Sequence, residues 1–178
     1  MLFCLSFRVC LLRLCLFFGL VLGLGLTDRA GSGALAVPCA EGIGIRKLRL
    51  RGAGAQVSVR VYFPSEQSST ATNFGPWRLR LVKNAHLNTG IYPLVMISYG
   101  LGGNDWNHHL LTQSLVKAGF IVAALRHPDD LLRVGTPAQS VLRPLELTAG
   151  LDAVLSSPIF GASIDRQRVG VFGFSLGG

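Results

Sequence analysis

The sequence predicts an α/β protein, a mostly parallel sheet covered by helices on both faces with an antiparallel hairpin at its amino-terminal side. Three observations lead there. Residues 92–98, 121–125 and 169–172 are apolar runs too continuous for a half-exposed strand and too short for a helix, as expected of strands buried on both faces. Amphipathic helical patterns separate them, and strand-helix-strand alternation builds parallel sheets. Glycine clusters, Gly100-Leu101-Gly102-Gly103 and Gly173-Phe174-Ser175-Leu176-Gly177, fall where two of these strands end, and such sheets bind ligands at the carboxyl ends of their strands.

The 178 residues suit one domain. Mean hydropathy is +0.45, but the excess sits in an apolar stretch over residues 11–26. Arg8 precedes it, Arg13 interrupts it, and Gly/Ala-rich sequence leads on to Ala34-Leu35-Ala36. A basic start, an apolar run and a small-x-small site describe a secretory signal peptide, so residues 1–36 are expected to be removed and 37–178 to form the exported domain. Residues 14–26 fall short of the ~20 needed to span a membrane. Retention of the segment as a membrane anchor is the alternative; otherwise membrane contact is transient. Cys4, Cys10 and Cys15 lie in this segment, which leaves Cys39 with no partner for an internal disulfide. Pro38, directly before Cys39, fits a lipidation site badly.

Loss of residues 1–36 takes Arg8, Arg13, Arg29 and Asp28 away and lowers the formal charge from +8 to +6. The remaining cations gather at Arg46, Lys47, Arg49 and Arg51 and at Arg78, Arg80 and Lys83. Lys47, Arg49 and Arg51 alternate with Leu48 and Leu50, the pattern of an edge strand with a wet, charged face. No nucleic-acid motif accompanies them, and nucleic acid is not expected as a partner.

Residues 45–50 and 57–63 alternate in polarity about Gly52-Ala53-Gly54 and predict the hairpin. Residues 64–90 are polar and irregular, with one short strand at 77–82. After strand 92–98, a helix is predicted over 107–118, with Leu111, Leu115 and Ala118 on one face and Gly119 placed to end it. Strand 121–125 and a loop over 127–138 follow. A second helix is predicted from Arg143-Pro144, where proline suits the first turn, with Leu147, Leu151, Val154 and Leu155 on one stripe before Pro158. The last strand is entered from the turn-like Ser163-Ile164-Asp165-Arg166.

Gly173 to Gly177 has the form G-x-S-x-G. In a chain with 22 glycines that pattern arises by chance about 0.2 times, so the strand directly before it carries the inference. Strand and motif together make a nucleophile elbow, a turn so tight that Gly173 and Gly177 must flank it, with the Ser175 hydroxyl pushed out at the end of the sheet. An acyl-transferring serine needs a base, an acid to orient that base, and donors for the oxyanion. The Leu176 N–H is the expected first donor. The Leu101 N–H is the second, presented by the glycine loop Gly100, Gly102 and Gly103. Tyr99 and His127, at strand ends on the same side, are candidate pocket residues, and a hydrogen-bonding role suits His127 better than that of base. His108 and His109 begin a helix and are expected to face solvent. Asp152 and Asp165 read as surface and turn residues.

Four segments in this order carry a resemblance. They are Pro93-Leu94-Val95-Met96-Ile97-Ser98-Tyr99-Gly100-Leu101-Gly102-Gly103; Gly119-Phe120-Ile121-Val122-Ala123-Ala124 ending in His127-Pro128; Arg143-Pro144-Leu145-Glu146-Leu147; and Asp165-Arg166-Gln167-Arg168-Val169-Gly170-Val171 with the elbow. From about Gly42 to its last residue the chain resembles the dienelactone hydrolase-like proteins close to platelet-activating-factor acetylhydrolase. The resemblance implies an α/β-hydrolase fold. It also implies hydrolysis of a small-molecule or lipid-like ester through an acyl-Ser175 intermediate, with no metal or organic cofactor. That family has His where this chain has Tyr99. In α/β-hydrolases the acid and the catalytic His follow the serine, whereas His86, His108, His109 and His127 all precede Ser175 and nothing follows Gly178. The chain is therefore expected to be an amino-terminal piece of the fold, ending at the elbow and inactive or nearly so by itself. A non-catalytic fragment or binding protein, or a serine peptidase or thioesterase, are the alternatives the residues leave open.

Overall fold

The computed structural model describes residues 41–50, 57–68, 70–128 and 137–178. Among them are strands β1 (Gly42–Arg49), β2 (Ser58–Ser65), β3 (Thr72–Phe74), β4 (Trp77–Leu79), β5 (Val82–Lys83), β6 (Tyr92–Ser98), β7 (Ile121–Arg126) and β8 (Ile164–Gly173). Two helices, α1 (His109–Lys117) and α2 (Pro137–Leu155), lie between the later strands. The expected signal peptide, Cys39, the Gly52-Ala53-Gly54 turn, Asp129 and Asp130 lie outside the described residues.

Six strands form one sheet in the order β5-β1-β2-β7-β6-β8, and β3 and β4 pair separately. β1 and β2 are antiparallel along their whole length, from Gly42 opposite Ser65 to Arg49 opposite Ser58. β2 is antiparallel to β7, and β7, β6 and β8 run parallel to one another. This is the parallel sheet with an amino-terminal antiparallel hairpin that the sequence predicts.

Alternate residues of the central strands feed two cores. On one face Val59, Val61, Leu94, Met96, Ala123 and Leu125 pack with Val154 of α2, and Leu147, Leu151 and Leu155 lean on them. On the other, Tyr62, Ile97, Val122 and Ala124 meet Val116 of α1. Burial on both faces is why β6 and β7 read as unbroken apolar runs. α1 ends as Gly119 predicts. Its φ of +86° allows Gly119 N–H to bond Val116 O and Phe120 N–H to bond Leu115 O, capping the last carbonyls.

Three expectations need correction. Residues 64–90 hold three short strands, β3, β4 and β5, rather than one over 77–82. The second helix starts by Pro137 rather than at Arg143, so Pro144 lies inside it. Its first two turns are anchored by buried Gln139 and Arg143, while Val141, Leu142 and Leu145 face solvent. The last strand is longer than residues 169–172, and among the described residues it stands at the edge of the sheet beside β6. Val169 and Phe172 still pack inward on opposite faces, but Val171 is 59% exposed.

Candidate active site

The register of β8 on β6 sets the site. Leu94 opposes Val169 and Ser98 opposes Gly173, so β6 and β8 end together and present their glycine segments side by side. The chain turns sharply just past Gly173, through a single 3-10 turn over Ser175–Gly177 closed by Gly177 N–H to Phe174 O and Gly178 N–H to Ser175 O. Ser175 stands at its tip, exposed, with φ of 54°. A non-glycine residue held in the left-handed region costs on the order of 1–3 kcal/mol and persists where the surroundings impose it. Here the surroundings are backbone. A Cβ on Gly173 would meet Gly177 O at 2.5 Å, and one on Gly177 would meet Ser98 O at 2.3 Å. The glycines flanking the serine are thus required by close approach.

The loop after β6 lies against this elbow. Phe174 N–H bonds Ser98 O at 3.1 Å, and a Cβ on Gly100 would touch Ser175 Cβ at 3.0 Å. Gly103 N–H bonds Gly100 O at 3.1 Å and Gly102 has φ of +72°, which makes residues 100–103 a tight turn with glycine where φ must be positive. Leu101 occupies its second position, and its N–H makes no bond among the described residues. The two bonds that close the elbow come from Gly177 and Gly178, which leaves the Leu176 N–H outside them. Among the described residues the Ser175 hydroxyl has no hydrogen-bond partner, so no base is seated on it.

Tyr99 and His127 are brought together, beneath the loop rather than in an open pocket. Both are buried, with ring centroids 5.4 Å apart, and the Tyr99 hydroxyl accepts the His127 backbone N–H at 2.9 Å. The His127 ring joins Ser98 Oγ through Nε2 at 3.0 Å and Glu146 Oε2 through Nδ1 at 2.6 Å. Arg143, one turn before Glu146 on α2, donates to Tyr99 O at 2.6 Å. Sequence reasoning gave Ser98, Arg143 and Glu146 no role of their own. An Arg and a Glu three apart on a helix look like a solvent-facing pair, and only the pairing of β6 with β7 puts Ser98 beside the end of β7.

His108 does not face solvent as expected. Its backbone is left-handed, φ 61°, its ring packs against Phe172 and Phe174 at 5.2 and 5.5 Å, and its Nε2 is buried with no hydrogen-bond partner among the described residues. The His109 ring lies tilted against Trp77, their centroids 5.4 Å apart. Further along the same loop, buried Asp105 binds Arg60 at 2.7 Å, and Arg60 lies 3.9 Å above the Trp106 ring. Asp152 is exposed as expected, whereas Asp165 lies not in a turn but within β8, in the irregular stretch between its pairings with Tyr92 and Leu94, where it accepts Gln167 N–H and Arg168 Nε. The Arg168 hydrogen bond, before the Gln167 one, holds the Asp165 carboxyl below its ordinary pKa. No group of His, Cys, Asp and Glu among the described residues could hold a metal ion.

Residues 69–141 match the family described as platelet-activating factor acetylhydrolase, isoform II. The match takes in the glycine loop and His127 and stops before Ser175. No curated protein matches the chain in sequence. Among solved structures, a ferulic acid esterase from Streptomyces cinnamoneus superposes with a TM-score of 0.66 at 22% identity, covering 80% of this chain and 55% of that one. A protein named m3DLH superposes with a TM-score of 0.50 at 18% identity, covering 76% of this chain and 50% of that one. The chain thus spans about half the length of these structures. With its strand order, its elbow and these likenesses, the chain has the α/β-hydrolase fold, and over residues 69–141 it matches the platelet-activating factor acetylhydrolase family.

Proposed function

We propose that this chain carries the nucleophile and oxyanion hole of a serine ester hydrolase acting on a small-molecule or lipid-like ester. One observation carries the reading: Ser175, strained at the carboxyl end of β8, abuts the glycine loop that follows β6. Ester chemistry is supported by the matched acetylhydrolase family and by the ferulic acid esterase of the same fold. Ser175 Oγ attacks the ester carbonyl carbon while a base takes its proton, and the carbonyl oxygen becomes an oxyanion facing the Leu101 and Leu176 N–H groups. The carbon–oxygen bond then breaks, the alcohol leaves with the proton, and water hydrolyses the acyl-Ser175 ester to release the acid and restore the hydroxyl.

The base is not His127, whose two ring nitrogens engage Ser98 and Glu146. By the resemblance, base and acid belong after the serine, and without them Ser175 would turn ester over very weakly. Loss of a triad base costs on the order of 10⁶ in turnover, while the oxyanion hole retains about 10³ to 10⁴ over water. The test compares p-nitrophenyl esters of increasing acyl length with residues 37–178 and with Ser175→Ala, then with protein isolated from its natural source. Turnover that needs Ser175 in the natural protein and nearly vanishes in 37–178 supports the reading. Robust turnover by 37–178 that is lost in Ser175→Ala would mean an upstream residue supplies the base. Turnover indifferent to Ser175 would end the proposal. Export belongs to the same reading, with residues 1–36 as a removed signal peptide.

A further inference from the structure

We propose that His127 and Glu146, with Arg143, are positioning residues: a buried hydrogen-bond chain from α2 to the root of the glycine loop holds the Leu101 N–H in its place. The inference rests on the serine-hydrolase reading for what that N–H does, though not for how the loop is held.

Glu146 Oε2, His127 Nδ1 and Nε2 and Ser98 Oγ form one line, with separations of 2.6 and 3.0 Å. A carboxylate on Nδ1 draws the ring proton to that side, so Nε2 accepts the Ser98 hydroxyl proton. The sequence of groups is that of a catalytic triad, but Ser98 is 2% exposed and its oxygen is sealed from any substrate. What the line does reach is the loop. Ser98 O takes the Phe174 N–H of the elbow, Tyr99 O takes Arg143, and the Tyr99 hydroxyl takes the His127 N–H. Two consecutive residues are therefore tied to β7, to α2 and to the elbow.

Residues 100–103 themselves have little to hold them. Three are glycine, the least restrained residue type, and the turn is closed by one bond, Gly103 N–H to Gly100 O. A useful oxyanion donor must stay within about 0.5 Å of its place. The order has to come from the root, and α2 can supply it because Leu147, Leu151 and Val154 fix that helix to the core. Arg143 and Glu146, three apart on one face of it, reach the root of the loop differently, Arg143 directly at Tyr99 O and Glu146 through His127 to Ser98.

The test measures amide hydrogen exchange in the full chain for Glu146→Leu, for the shape-keeping Glu146→Gln, and for His127→Asn, which retains a nitrogen near Nδ1 but nothing at Nε2. Exchange at Gly103, whose N–H closes the loop on Gly100 O, and at Phe174, whose N–H bonds Ser98 O, is expected to rise about tenfold or more, with Val59 and Val61 in β2 unchanged. Unchanged loop exchange, or equal acceleration everywhere, overturns the proposal. In the natural protein the same variants are expected to lower kcat at least about tenfold with KM nearly constant, since an oxyanion donor acts mainly in the transition state. A raised KM at constant kcat would count against it. If the natural protein shows no Ser175-dependent turnover, the serine-hydrolase reading fails, while the exchange data still decide whether the chain orders the loop.

Discussion

Gly177→Ala should destabilise the protein by pushing the elbow off the glycine loop. The added Cβ would lie 2.3 Å from Ser98 O and 2.6 Å from Tyr99 O. Ordinary contact with such atoms begins near 3.4 Å, so the two segments must part by roughly 1 Å, a displacement that can cost about 10² in rate at a catalytic serine. Neither oxygen can swing aside, because Ser98 O is bonded to Phe174 N–H and Tyr99 O to Arg143. Overpacking of this kind costs about 1–3 kcal/mol, and loss of the Phe174 bond adds about 0.5–1.5 kcal/mol. At roughly 2–4 °C per kcal/mol for a domain of this size, Tm should fall by about 5–15 °C. Gly170→Ala is the control. It lies in the same strand with nothing within 4 Å of its built Cβ, so its stability should stay within about 1 kcal/mol of the parent. Thermal unfolding by circular dichroism reads both. If Gly177→Ala melts within about 1 °C of the parent, or if Gly170→Ala falls as far, the close approach of elbow and loop is not what the structure describes.

Other outcomes follow from the same geometry. Arg60→Met leaves the Asp105 carboxylate buried without its close partner, Arg126 standing 4.0 Å away; the loss should be about 2–4 kcal/mol by urea unfolding, and adding Asp105→Leu should recover most of it. An unchanged midpoint for the single variant would mean the pair does not contribute. Ser175→Gly relieves the left-handed strain and should raise stability by about 1 kcal/mol while abolishing Ser175-dependent turnover; a lowered Tm would argue against the strain. With residues 1–36 proposed as a removed signal peptide, mass spectrometry of the natural protein should find an amino terminus near Val37, whereas a lipidated Cys39 terminus would overturn that proposal.

The parts of the fold visible in the sequence are those written by burial. β6 and β7 show themselves because both faces are covered, and the Leu147, Leu151, Val154 and Leu155 stripe of α2 shows itself because one face is. The first turns of α2 are hidden because their polarity is inverted. Gln139 and Arg143 point inward, Val141, Leu142 and Leu145 outward, and Pro144 looks like a start although the helix passes through it. The elbow is legible because its glycines stand at fixed spacing about the serine directly after an apolar strand, although Gly173 answers to nearby backbone and Gly177 to Ser98 and Tyr99 on the neighbouring strand end. The Ser98–His127–Glu146 line is not, because its members meet only through the pairing of β6 with β7 and the docking of α2. His108 is misread for a related reason: a histidine at a helix start is ordinarily wet, and only the β8 register brings Phe172 and Phe174 to it.

Acylation of Ser175 is the step on which the proposed ester hydrolysis stands or falls. Protein isolated from its natural source and treated with a fluorophosphonate should gain one adduct, carried on the tryptic peptide that begins at Val169, and competing ester should slow its formation. An adduct on any other residue, or ester hydrolysis that continues in a protein whose Ser175 stays unmodified, would contradict it.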